Sequence, residues 1–129
     1  MTGARPRILA VDDQPEIREL LDDALSVEGY DVRATGDPVE ALRLLQDSVF
    51  DAVILDFRLP AMNGIQLHQA MVDACPDLAD RCIFISGVTQ PRENLDYFFT
   101  HGGAYLSKPF RLKDLVSAVH EVLADRRPG

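Results

Sequence analysis

The sequence predicts an α/β fold in which one five-stranded parallel sheet is covered by helices on both faces, a doubly wound three-layer sandwich. Strand-like apolar runs alternate with helical patterns five times along the 129 residues. Three of these runs are apolar at consecutive positions, which is typical of central strands buried on both faces. The length fits a single domain. We expect that domain over residues 7–124, with an N-terminal extension over 1–6 and a flexible tail over 125–129.

Each predicted element has a local signal. Apolar residues at helical spacing between Pro15 and Gly29 predict the first helix, and Asp37-Pro38-Val39-Glu40 resembles a capping box that opens the second. Pro91 opens the fourth predicted helix, which ends near Gly102. The strands are predicted over 8–11, 30–35, 52–55, 82–85 and 104–106, and the third and fifth helices over 65–74 and 112–123.

Composition and charge narrow the function classes. The net charge is −8 and the sequence pI is about 4.7. An acidic surface disfavours direct contact with nucleic acid or with anionic membranes. No apolar run approaches the ~18 residues that suggest a membrane span, and the first residues lack the apolar core of a signal peptide, so we expect a cytoplasmic location.

The cysteines and histidines give no sign of a metal site. Cys75 and Cys82 fit no redox or zinc spacing, and we expect both to be unpaired. His68, His101 and His120 occur singly, with no metal-ligand neighbour at helical spacing. A solvated surface histidine is therefore the preferred interpretation of each.

Polar residues stand where the predicted strands end. The first strand ends on Asp12 and Asp13, the third on Asp56 and the fourth on Ser86, and Lys108 follows the fifth. In a flavodoxin-like (βα)5 fold with strand order 2-1-3-4-5, the first and third strands are neighbours and ligands gather at the carboxyl ends of the strands. These five side chains should then converge on one rim of the sheet.

Such a cluster suits phosphoryl transfer. Clustered carboxylates repel each other, and hard oxygen ligands favour Mg²⁺ or Ca²⁺. The three equatorial oxygens of the transferred group need stabilising, and Mg²⁺, Lys108 and the Ser86 hydroxyl can each take one. Asp56 would be the nucleophile that forms an acyl phosphate. Each residue alone is a weak signal, and the joint arrangement at four strand ends carries the prediction.

At these residues the chain closely resembles the response-regulator receiver family of two-component signal transduction, in a form like the chemotaxis regulator. The resemblance runs over about 7–123, nearly the whole chain, in the family's order and spacing. The matching motifs are Val11-Asp12-Asp13, Leu55-Asp56-Phe57-Arg58-Leu59-Pro60-Ala61-Met62-Asn63-Gly64, Ile85-Ser86-Gly87 and Tyr105-Leu106-Ser107-Lys108-Pro109-Phe110.

The resemblance implies a role for each site residue. Asp12 and Asp13 would be the acidic pair for Mg²⁺, with Asp56 and the backbone carbonyl of Arg58 completing the metal site. Asp56 would be the phosphorylated residue, and Lys108 would bind the phosphate.

The resemblance also implies a switch. Ser86 would be the switch hydroxyl and Tyr105 the switch aromatic, and the peptide bond before Pro109 is expected to be cis. The surface that changes on phosphorylation would comprise the fourth predicted helix, the fifth strand and the fifth helix, roughly 91–102 and 104–123.

The implied partners are proteins. A sensor histidine kinase or a histidine phosphotransfer protein would supply the phosphoryl group, and a downstream output domain or protein would read the switched surface. No direct contact with nucleic acid or membrane is implied, and the family leaves room for a phosphorylation-dependent dimer. The chain would be a signalling domain that catalyses only its own phosphorylation and dephosphorylation.

Two positions depart from common family usage. Arg58 stands where a smaller residue or methionine is frequent, and Val88 where the residue is often polar. In the family both positions border the phosphoryl group and affect how long it survives.

Other functions fit less well. A flavodoxin-like FMN protein needs a first loop that attracts phosphate, and Asp12-Asp13-Gln14-Pro15 would repel it. A phosphatase of the haloacid dehalogenase type needs a second acid two residues after its aspartate, where this chain has Arg58. No P-loop or GxGxxG pattern is present. Two alternatives stay open, namely an interaction module of receiver fold that never needs phosphate, and a receiver belonging to a hybrid kinase rather than a stand-alone regulator.

Overall fold

The computed structural model describes residues 5–57, 64–87, 96–97 and 104–124. Five parallel strands form one sheet in the order β2-β1-β3-β4-β5, which confirms the predicted fold and strand order. The strands are β1 Arg7–Val11, β2 Asp31–Thr35, β3 Ala52–Asp56, β4 Cys82–Ser86 and β5 Ala104–Ser107. The helices are α1 Pro15–Val27, α2 Pro38–Asp47, α3 Gly64–Ala74 and α4 Leu112–Ala124, and a 3-10 turn spans Pro76–Leu78.

The core has two halves, one on each face of the sheet. On one face, strand residues such as Ile8 and Ile54 pack with Leu21 of α1 and Leu115 of α4. The other face contains Leu9, Val53, Leu55 and Phe84 from the strands, with Ala41, Leu45, Leu67 and Met71 from α2 and α3. Successive side chains of a strand point to opposite faces, so strands covered on both sides need apolar residues at every position. This accounts for the consecutive apolar runs.

The start of α2 differs in part from a capping box. Asp37 accepts a hydrogen bond from the N–H of Val39, 3.0 Å away, and Pro38 is the first helical residue, as predicted. Glu40 does not close the box, because Thr35 at the end of β2 accepts the N–H of Asp37 and donates its hydroxyl to Glu40. The pattern thus ties α2 to the end of β2.

Several predictions fall outside the described residues. They concern Arg58, Val88, His101, the flanks at 1–4 and 125–129, and most of the fourth predicted helix, of which only Asp96 and Tyr97 are described, in helical conformation. The domain limits at 7 and 124 stay a prediction. In the described part of the chain, no helix is long and apolar enough to cross a bilayer.

The prediction for His68 was wrong, whereas those for the cysteines and His120 are confirmed. Cys75 and Cys82 are both free, and the His120 side chain is exposed. His68 is only 1% exposed, because it lies on the face of α3 that also buries Leu67. A buried imidazole is tolerated when its ring nitrogens find partners, as they do here.

Candidate functional site

The candidate site lies at the carboxyl edge of the sheet, where β1 and β3 end side by side. Asp12 follows β1 and is 1% exposed, and Asp56 is the last residue of β3 and is 4% exposed. Asp13 is exposed at the rim. One carboxylate oxygen from each of the three lies within 4.8 Å of the others. The fold therefore brings the three predicted carboxylates together.

Lys108 is the cation of this cluster among the described residues. Its Nζ lies 3.0 Å from Asp12 Oδ2 as an ion pair and donates a hydrogen bond of 3.1 Å to Asp56 Oδ2. Burial by itself lowers the pKa of the ammonium, but the contacts with Asp12 and Asp56 outweigh burial and raise that pKa above its ordinary value. Lys108 is thus held as a charged bridge between the two buried carboxylates.

The backbone of Lys108 fixes its position beside β4. Its N–H donates to the carbonyl of Ser86, 2.7 Å away. The peptide bond between Lys108 and Pro109 is cis, as the resemblance implied. Ser86 is the last residue of β4 and is 1% exposed, so its hydroxyl belongs to the same edge as Asp56. All five predicted rim residues therefore lie at the ends of strands or in the turns that directly follow them.

The chain leaves β3 through a tight contact with the start of α3. Gly64 donates its N–H to the carbonyl of Phe57, 2.7 Å away. A Cβ on Gly64 would come within 2.9 Å of the Asp56 carbonyl oxygen and of Phe57 Cα. Only glycine allows this approach, which keeps the end of β3 pressed against the beginning of α3.

Tyr105 lies on β5, paired in register with Phe84 of β4. Its side chain is half-buried and packs against the core half that contains Phe84, as does that of Tyr97. The predicted switch aromatic is therefore on the same face of the sheet as the aromatic residues near the end of β4.

An open cleft gives access to the site. It has a volume of about 630 Å³. Its polar floor includes Asp13, Asp56 and Lys108, and its apolar wall comes from α1 and from the turn after β5, namely Ile17, Leu20, Pro109 and Phe110. A buried acidic centre is thus reachable from one side along an apolar surface.

The donor set fits a hard divalent cation. Three carboxylates share a site with a single ammonium among the described residues. Asp12 Oδ2 is buried and, within the described part of the chain, accepts no hydrogen bond, although Lys108 Nζ lies nearby. One ammonium offsets one of the three carboxylate charges, and Mg²⁺ prefers clustered carboxylate oxygens of this kind.

Comparison with known proteins identifies the family. The family model for the response regulator receiver domain matches residues 8–120. The chain belongs to this family. It is 38% identical over 123 residues to the DNA-binding response regulator MtrA of Mycolicibacterium smegmatis, covering 92% of this chain and 51% of MtrA. It is 33% identical to the response regulator receiver protein CpdR of Brucella abortus, covering 91% of this chain and 96% of CpdR.

Solved receiver structures have the same architecture. The non-phosphorylated HemR receiver domain of Leptospira biflexa matches with a TM-score of 0.85 and 32% identity, over 97% of this chain and 99% of that one. A CheY-like receiver domain protein of Methanospirillum hungatei matches with a TM-score of 0.86 and 26% identity, over 95% and 96%. This receiver domain spans about half the length of MtrA and nearly all of CpdR.

Two contacts of the receiver site escaped the sequence analysis. Gln14 accepts a hydrogen bond from Lys108 Nζ at 2.6 Å, and Arg18 donates one to the backbone carbonyl of Asp12 at 2.8 Å. Neither residue belongs to the quoted motifs. Gln14 and Arg18 lie two and six residues after Asp12. Nothing in the sequence around them indicates that their side chains contact residues at the strand ends.

Proposed function

We propose that this receiver domain accepts a phosphoryl group on Asp56 in a Mg²⁺-dependent reaction. The observation that carries the proposal is the buried Asp56 carboxylate, which lies beside an acidic pair and contacts the Lys108 ammonium at the floor of an open cleft. A surface carboxylate is a poor phosphoacceptor because nothing offsets the charge of the incoming phosphoryl oxygens. Here fixed charges and a hydroxyl surround the place where those oxygens would lie.

The reaction would run as an in-line displacement on phosphorus. An Asp56 oxygen forms the new P–O bond while the P–N bond of a phosphohistidine breaks, and the histidine nitrogen leaves with the electron pair of that bond. Mg²⁺ would be held by Asp12, Asp13 and Asp56, with the Arg58 carbonyl as a further ligand, and supplies positive charge to one phosphoryl oxygen. Lys108 and the Ser86 hydroxyl would each bind another oxygen.

The phosphoryl donor would dock on the apolar wall of the cleft. A sensor histidine kinase or a histidine phosphotransfer protein would bring its imidazole to Asp56 through this cleft. Ile17, Leu20 and Phe110 line that wall and are the surface it would cover. We expect Phe110→Ala to slow transfer from a phosphohistidine donor and to leave phosphorylation by acetyl phosphate unchanged, because the small donor needs no protein surface.

The output would depend on Ser86 and Tyr105. Phosphate at Asp56 would draw the Ser86 hydroxyl towards it through a charge-assisted hydrogen bond, and the Tyr105 ring would move into the space left beside β4. Both arrangements must exist beforehand, with phosphate shifting the balance. Amide NMR shifts with beryllofluoride, a phosphoryl mimic, should change over 104–123 as well as around Asp56. Changes confined to the surroundings of Asp12, Asp56 and Lys108 would contradict this coupling.

The central experiment is phosphorylation by acetyl phosphate with Mg²⁺, read by intact mass. Wild-type protein should gain one phosphoryl group and Asp56→Asn none. Asp80→Asn, an exposed aspartate on the surface, is the matched control and should behave as wild type. Equal labelling of the Asp56 variant would sink the assignment, and no labelling of the wild type would favour the phosphate-independent interaction module.

A further inference from the structure

We propose that Arg18 is a positioning residue for the acidic pair, fixing the backbone of Asp12 through a contact that requires glycine at position 36. The inference rests on the proposed function in that the pair is taken to bind Mg²⁺. Arg18 lies on α1, and its Nη1 donates a hydrogen bond of 2.8 Å to the backbone carbonyl of Asp12. The guanidinium therefore contacts the backbone of the site rather than its carboxylates.

The N–H, Oδ1 and carbonyl of Asp12 each form a hydrogen bond, and its Oδ2 is ion-paired. Its N–H donates to the Thr35 carbonyl of β2 at 3.1 Å, and its Oδ1 accepts the N–H of Gln14 at 2.9 Å. Its Oδ2 faces Lys108, and its carbonyl faces Arg18. The Arg18 contact links the Asp12 carbonyl to the first turn of α1, which begins at Pro15.

Gly36 supplies the space for that contact. A Cβ at position 36 would come within 2.5 Å of Arg18 Nη1 and 3.3 Å of the Asp12 carbonyl oxygen. The nearer atom is the end of a flexible side chain, so an alanine would displace the guanidinium before it moved the backbone. Gly36 has no positive φ among the described backbone angles, so the need here is for room and not for an unusual conformation.

Positioning and simple charge predict opposite effects on metal binding. If Arg18 acted only as a nearby positive charge, removing it would tighten Mg²⁺ binding by reducing repulsion. If it positions Asp12, its removal lets the turn move and weakens binding. The loss of one hydrogen bond of ordinary strength corresponds to about a threefold to tenfold weaker Mg²⁺ affinity.

The test measures Mg²⁺ affinity by calorimetry in four variants. Arg18→Gln and Gly36→Ala should each weaken binding by about threefold to tenfold, and the double variant should be no weaker than the weaker single, since both act on one contact. Arg33→Gln, at an exposed position of β2, is the charge-matched control and should bind Mg²⁺ as wild type or slightly more tightly. Tighter binding by Arg18→Gln, or additive losses in the double variant, would overturn the proposal.

A metal-free measurement separates this inference from the proposed function. Without Mg²⁺, Arg18→Gln and Gly36→Ala should both speed hydrogen exchange at the Asp12 and Gln14 amides, whose partners depend on the position of the turn. If the wild type bound no Mg²⁺, the proposed function would fail. The positioning role of Arg18 would then be tested by hydrogen exchange alone. Unchanged exchange at both amides in both variants would then refute its positioning role.

Discussion

Two buried polar sites lie beside the central strands. They differ in how completely the protein's own residues neutralise their charges and satisfy their hydrogen bonds. At the carboxyl edge, Asp12, Asp13 and Asp56 share one described ammonium, and a buried carboxylate oxygen accepts no hydrogen bond in the described part of the chain. Behind β4, His68 has a partner for each ring nitrogen, the Tyr97 hydroxyl at 2.7 Å and the Ala79 carbonyl at 2.9 Å. We call the first the unbalanced site, because three carboxylates share one described ammonium, and the second the complete cluster, because each ring nitrogen of His68 has a partner.

The His68 cluster can be assigned in detail from donors and acceptors. A carbonyl can only accept, so His68 Nε2 carries the hydrogen that points to Ala79. In the neutral ring Nδ1 is then the acceptor for the Tyr97 hydroxyl. Phe84 packs against both rings, with centroids 5.2 Å from His68 and 6.3 Å from Tyr97. This cluster joins α3 to the helical segment at 96–97 and leaves no position for a ligand among these contacts.

The largest stability loss should follow removal of the ammonium from the unbalanced site. Lys108→Ala removes the ammonium that contacts both the Asp12 and the Asp56 carboxylate, and breaking such a buried ion pair costs about 3–5 kcal/mol. Urea unfolding measures this loss. Saturating Mg²⁺ should restore more stability to the variant than it adds to the wild type, because the ion replaces the missing positive charge. Equal stabilisation of both proteins by Mg²⁺ would contradict the view that Lys108 and Mg²⁺ neutralise the same carboxylates.

A loss of about 3 kcal/mol is expected for His68→Ala, which opens a cavity and leaves two buried polar groups without their partner. Here Mg²⁺ should stabilise the variant and the wild type equally, since the cluster holds no metal. His120→Ala is the control, because that exposed side chain contacts Tyr30 and Glu28 at the surface, and its removal should cost less than about 1 kcal/mol. Equal losses for the two histidine variants would show that the burial of His68 has no energetic weight.

The sequence predicted the unbalanced site well and the complete one badly, for physical reasons. Asp12, Asp56, Ser86 and Lys108 stand at strand ends, where the topology of a parallel sheet brings residues together whatever their distance in sequence. His68 stands alone in a helix, and its partner Tyr97 is 29 positions away. Nothing in local pattern tells a buried, satisfied histidine from a solvated one. The return of Arg18 to the strand end likewise depends on three-dimensional neighbours such as Gly36.

Asp13→Asn should sharpen the contrast at the acidic edge. Asp13 is exposed and adds repulsion to two buried carboxylates, so its neutralisation should leave stability without Mg²⁺ unchanged or slightly higher. Two unit charges 4 Å apart interact by about 4 kcal/mol at an effective dielectric constant of 20, and about 1.4 kcal/mol corresponds to a tenfold change in affinity. Loss of the Asp13 charge should therefore weaken Mg²⁺ binding by about tenfold or more. Calorimetry measures the affinity and urea unfolding the stability. A clear stability loss in the absence of metal would mean that the site is balanced without it.

The smallest expected effect concerns the other partner in the complete cluster. Tyr97→Phe keeps the ring and removes one hydrogen bond, at a cost of about 1 kcal/mol near neutral pH.

Burial, and then the charge of Cys82, raise the pKa of Tyr97 above its ordinary value of 10.0. Above about pH 10 the unfolded chain therefore loses the phenolic proton while the folded chain keeps it, and this part of the stability declines as pH rises towards the folded pKa. Phenylalanine has no proton to lose, and the other alkaline groups are common to both proteins. The difference in unfolding free energy between wild type and variant should be constant from pH 7 to about 9 and should narrow above about 10. A constant difference above that pH would mean that the Tyr97 hydroxyl titrates alike in the folded and unfolded protein, and a widening one that it ionises more readily when folded; either would contradict the raised pKa.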